Sequence, residues 1–117
     1  MIKLKRIYEE AEPTDGFRVL VDRIWPRGIK KTEAKLDEWL KEIAPTTALR
    51  KWFNHESGKY PMFREKYLAE LKISPAKEAV TILQDDIQKY PTVTLLYGAK
   101  NQTENQAVVL KEYLESL

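Results

Sequence analysis

Two short, nearly unbroken apolar runs constrain this chain most. Phe17 to Val21 has RVLV as its core, and Thr92 to Tyr97 reads TVTLLY. Aliphatic and β-branched runs this short, bounded by turn residues, read as strands, and their lack of alternation is what a strand covered on both faces requires. Helical spacing dominates the segment between them. Strands separated by helices long enough for a crossover pack in parallel, so residues 1–117 are expected to form one α/β domain, a mostly parallel sheet flanked by helices.

The remaining segments fit that frame. Ile2 and Leu4 alternate with charged residues, which predicts a strand over residues 2–8 near a sheet edge. Glu12-Pro13-Thr14-Asp15-Gly16 is turn chemistry. Between residues 30 and 44, Leu36, Trp39, Leu40 and Ile43 have helical spacing. After Pro45, Thr46 or Thr47 caps a short helix presenting Leu49, Trp52 and Phe53 on one face, so Trp39 and Trp52 are both expected in the core. Residues 54–59 read as a loop carrying the only histidine, His55. Pro61 opens a helix with Phe63, Tyr67 and Leu71 inward, and Ser74-Pro75 opens another with Ala79, Val80, Leu83 and Ile87 inward. Gly98 to Asn101 forms a turn, and Thr103 with Gln106 has capping-box spacing before a last helix with Ala107, Leu110 and Leu114 inside.

Composition removes several classes of function. Twenty Lys and Arg against 18 Asp and Glu leave a net charge of +2, without the strong basic signature of a general nucleic-acid binder. The absence of cysteine excludes disulfides, thiolate chemistry and cysteine-ligated metals, and fits a reducing compartment. With one histidine and no recognised carboxylate cage, no metal is expected. Glycines 16, 28, 58 and 98 are too scattered for a phosphate loop or dinucleotide fingerprint, so no cofactor is expected either. No serine sits in a nucleophile-elbow context. MIKLKRIY lacks the continuous apolar stretch of a signal peptide, and no run approaches the roughly 20 residues that span a bilayer. The expectation is a soluble, cytoplasmic protein without a membrane partner.

In open parallel sheets, ligands gather beyond the carboxyl ends of the strands. VDRIWPRG (21–28) and LLYGAKN (95–101) both follow expected strands. If those strands are neighbours, Asp22, Arg23, Trp25, Arg27, Tyr97, Lys100 and Asn101 converge on one rim. Guanidinium groups offer forked donors to carboxylate or phosphate, and lysine adds a mobile charge. The resulting reading is a site for an anionic, for instance phosphorylated, small molecule, with Arg23, Trp25, Arg27, Tyr97, Lys100 and Asn101 as contacts. Asp22 and His55 are the candidates for proton transfer. A structural alternative pairs Asp22 with Arg23 or Arg27, uses Trp25 and Pro26 as a plug, and leaves His55 solvated. A third reading is a non-enzymatic module whose basic rim contacts nucleic acid or an acidic protein segment, with Trp25 as a stacking platform. A flat basic face reaching Lys30, Lys31 and Lys35 would favour it.

RVLVDRIWPRG at 18–28, DEWLKEIAPTTALRKWFNH at 37–55, FREKYLAEL at 63–71 and TLLYGAKNQTENQAVVLKEYL at 94–114 resemble the small YeaO-like proteins of domain-of-unknown-function family 488. The resemblance runs through nearly the whole chain in order, and it implies no particular activity. It marks Asp22, Arg23, Trp25, Pro26, Arg27 and Gly28, then Lys41, Ala44, Pro45, Leu49, Arg50, Trp52, Phe53 and His55, and finally Tyr97, Ala99, Lys100 and Asn105. Arg50 and His55 thereby join the rim. It also implies a short strand at Leu36 to Leu40, against the helical spacing there. By the same resemblance, longer relatives have a strand ending in Asp-Val-Arg at the first site and a Cys-His-Arg cluster near the start of the last helix. Glu104, Asn105 and Gln106 stand there instead, so chemistry requiring that cluster is not implied.

Overall fold

A computed structural model describes residues 1–117. Four parallel strands form one sheet in the order β1-β4-β2-β3: β1 (Ile2–Arg6), β2 (Phe17–Leu20), β3 (Glu38–Trp39) and β4 (Val93–Tyr97). The helices are α1 (Lys31–Ala34), α2 (Thr47–Phe53), α3 (Tyr60–Glu70), α4 (Ala76–Lys89) and α5 (Gln106–Ser116). The α/β expectation holds, and the two apolar runs are indeed parallel neighbours, with Val19 opposite Leu95 and Leu20 opposite Leu96. No helix is long and apolar enough to cross a membrane.

Strand alternation divides the interior in two. Val19, Val21, Val93, Leu95 and Tyr97 face α2 to α5 and belong to a core of 19 buried residues. Helix α3 contributes Phe63 and Tyr67 to it, with the Tyr67 hydroxyl donating to the Ile43 carbonyl at 2.6 Å. On the opposite face Leu20 and Leu96 meet only Ile7 and Ala34, packed by the half-buried Trp25, Ile29, Leu36 and Trp39. No long helix covers this side. The connections following β1 and β2 cross it, tied down by charge: Arg18 donates to Asp15 and to the carbonyls of Ala34 and Lys35, and Lys5 pairs with Asp15 and Glu12.

The segment 30–44 resolves in favour of the short strand that the resemblance implies, not the helical spacing, and three further expectations need correction. α1 stops at Lys35, which adopts a left-handed φ of 48°, and Glu38 and Trp39 then pair with β2. Asp37 N–H and Leu40 N–H donate to the carbonyls of Arg18 and Leu20, so unfilled acceptors on the edge of β2 override the local period. Trp52 is 36% exposed rather than buried, with the ammonium groups of Lys59 and Lys66 over its ring. The capping box does not form. Asn105 is the cap of α5, accepting from Val108 N–H, while Asn101 Oδ1 collects Thr103 N–H and Glu104 N–H in a tight turn. The helix expected from Ser74-Pro75 begins at Ala76, and Ser74 bonds Glu78 instead of capping.

Candidate functional site

The chain leaves β2 toward the lightly covered face, where Trp25 and Ile29 pack, and leaves β4 toward the helical face, where α5 packs. Adjacent strands whose continuations part to opposite faces leave a crevice between their carboxyl ends. Here it is a cleft of about 840 Å³, bounded by residues 22–27 after β2, by residues 98–106 after β4, and by Arg50, Phe53 and His55 from α2 and the turn after it.

Asp22 lies within this cleft and joins its two walls. Its Oδ2 accepts the Gly98 N–H at 2.9 Å and its Oδ1 accepts from Gln106 Nε2 at 2.6 Å. Gly98 permits that approach, because a Cβ there would come within 2.9 Å of Asp22 Oδ2. Burial pushes the Asp22 carboxyl up to about 6, against the opposing pull of those two hydrogen bonds and of the Arg50 charge. A carboxyl held there exchanges a proton close to neutrality.

The other expected residues divide by what their polar atoms already do. Arg23 lines the cleft but donates to the carbonyls of Pro45 and Ala44 at 2.9 and 3.0 Å, which fastens the segment ahead of α2. Trp25 gives its indole N–H to the Ile29 carbonyl and meets Trp39 edge-on, so it covers the smaller core while showing one side to the cleft. Asn101 spends its amide on its own turn. Tyr97 is 3% exposed, belongs to the main core and does not line the cleft; burial raises its hydroxyl. Arg27, Lys100 and the added Arg50 are exposed, line the cleft, and have side-chain nitrogens engaged in no hydrogen bond or ion pair. His55 is exposed at the same opening, its ring 6.1 Å from that of Phe53. Asn54 and His55 both take left-handed φ values, 46° and 56°, a strained succession for two residues with side chains.

Sequence reasoning missed Gln106 and Gly98 as the groups that hold Asp22. A glutamine shortly before a helical stripe is ambiguous between capping and reaching across a cleft, and only the approach of β4 to β2 decides it. No group of three or more His, Cys, Asp or Glu side chains is placed to hold a metal ion.

The fold and cleft together define a small parallel α/β domain with a concave cleft at the strand carboxyl ends. By sequence, the chain belongs to the DUF488-N3i family, described as the "Inactive DUF488-N3 subclade", whose model matches residues 1–117. It is 54% identical over 116 residues to the "Uncharacterized protein YeaO" of Escherichia coli K12, covering 99% of this chain and 98% of that one. It is 43% identical over 113 residues to uncharacterised proteins of Mycobacterium bovis and Mycobacterium tuberculosis, covering 97% of this chain and 92% of theirs. No solved structure matches it with significance.

Proposed function

We propose that this protein binds a small anionic molecule, of which a phosphorylated one fits best, in the cleft at the carboxyl ends of β2 and β4. The observation that carries the reading is the convergence of Arg27, Arg50 and Lys100, all without partners, on one concavity. Four cations and two carboxylates, Asp22 and Glu104, line it, and since Arg23 is paired with Glu42 at 3.7 Å, the three free cations exceed the carboxylates by one. That excess suits an anion. Its volume of about 840 Å³ also lies within the range of small-molecule sites, roughly 300–1,000 Å³. A half-enclosed cleft favours such a ligand over a polymer laid on a flat face.

Binding without turnover is the form of this reading that the family description supports. Asp22 and His55 remain the groups that would move a proton if turnover occurs. Asp22 is suited to it by a carboxyl poised near 6, and His55 by an imidazole free at the mouth.

The test is a thermal-shift screen with phosphorylated metabolites, nucleotides, carboxylates and short oligonucleotides. A ligand present at about 100 times its Kd adds about 2.7 kcal/mol of stability. Phosphorylated small molecules should raise the melting temperature of the wild type, and Arg50→Ala and Lys100→Ala should lose the shift while staying folded. A shift given only by oligonucleotides, falling steeply with salt, would replace the small molecule with a polymer.

A further inference from the structure

The cleft is chemically mixed, and this narrows the ligand beyond its charge. Arg27, Arg50, Lys100 and His55 are exposed, whereas Asp22 is half-buried and bonded to residues of the facing wall. Its two hydrogen bonds, from Gly98 N–H and Gln106 Nε2, occupy one lone pair on each carboxylate oxygen and leave another on each. A bare anion filling the cleft would place negative charge against that carboxylate. A hydroxyl or amino group would instead donate to it. The volume, about 840 Å³, leaves ample room beyond one phosphoryl group. Apolar residues, including Ile24, Pro26, Pro45 and Ala99, line the same cleft.

We infer that the ligand is a phosphate monoester bearing a hydroxyl or amino group, its phosphoryl held by Arg27, Arg50 and Lys100 and its donor group bound by Asp22. The inference rests on the anion-binding reading above and adds the second recognition element. Asp22 serves here as a specificity residue, whether or not any bond is made or broken.

Isothermal titration calorimetry with methyl phosphate, glycerol phosphate and phosphoethanolamine tests it. The wild type should bind one of the latter two about tenfold or more tightly than methyl phosphate, as one hydrogen bond to a charged acceptor provides. Asp22→Asn should shrink that preference to about twofold while methyl phosphate binds at least as well as before, since a negative charge has left the cleft. Should that variant fold poorly by circular dichroism, Asp22→Ser, which removes the charge and keeps a small polar side chain, takes its place, and the same loss of preference is expected. Equal wild-type affinity for all three esters overturns the inference but leaves the anion site standing, as does a preference that survives Asp22→Asn. Failure of every ester to bind overturns both.

Discussion

The two faces of the sheet solve the same problem with different chemistry. On the helical face, 19 buried residues exclude water with hydrocarbon, and four helices bring enough side chains to do so. On the other face only four buried residues form a cluster, and ordering the chain across it depends on Arg18, Asp15 and Lys5. Asp15 shows the balance involved. Burial pushes its carboxyl up, but the Glu12 N–H together with Lys5 and Arg18 outweighs that and holds it below the ordinary carboxylate range. A face without a long helix has too little apolar area to hold a connection by burial alone, and buried ions then give it a defined position. The cleft opens where the continuations of β2 and β4 part to these two faces, so both contribute to its geometry.

The largest expected effect breaks the ionic face. Arg18→Leu leaves Asp15 buried with Lys5 as its remaining cation, and should cost about 3–5 kcal/mol in urea denaturation. Adding Asp15→Leu should recover part of the loss; a double variant worse than Arg18→Leu alone would mean that the ion pair itself is net stabilising.

Leu110→Ala on the hydrocarbon face should cost about 2–5 kcal/mol, set by how far the cavity collapses. Its cost should not depend on pH, whereas that of Arg18→Leu should diminish as Asp15 is protonated. Parallel denaturation curves at two pH values check the contrast.

Acidity itself separates the carboxyls. Asp22 has its carboxyl raised to about 6 by burial, and half-buried Glu38 has its carboxyl raised to about 7 by desolvation and by the neighbouring Asp86 carboxyl. Folding makes both bind protons more tightly, so their contribution is fully present below their ordinary values near 4 and is lost as pH rises through 6 and 7. Asp15 has the opposite sign: its contribution is present above 3.8 and lost as pH falls. Stability should therefore decline from pH 5 to pH 8, with Asp22 contributing on the order of 2 kcal/mol of the change. Asp22→Asn should flatten the melting-temperature profile; an unchanged slope would remove Asp22 as its source.

The smallest effect sharpens the comparison by using the same residue type. Arg27, with no partner, should cost no more than about 0.5 kcal/mol as Arg27→Ala. A melting temperature that drops as far as in Arg18→Leu would make the residues after β2 a clasp that holds the fold rather than part of a site.

By itself, the sequence determined three of the four strands and the parallel sheet. β-branched apolar runs at 17–21 and 92–97, separated by helical stripes such as Phe63, Tyr67 and Leu71, admit little else. It also determined that residues 22–28 and 98–101 lie at strand ends, since a residue following a strand must emerge there. Only tertiary structure decided which charges remain free. Arg23 and Arg27 are four positions apart and indistinguishable as types, yet the carbonyls of Ala44 and Pro45 happen to reach one and not the other. Nor could spacing assign Gln106 to Asp22 across 84 positions, or turn the helical period at Leu36 to Ile43 into a strand, because both depend on what another segment leaves unsatisfied nearby. Periodicity reports which face a residue prefers; the partners that consume or spare its polar atoms are set by segments distant in the chain.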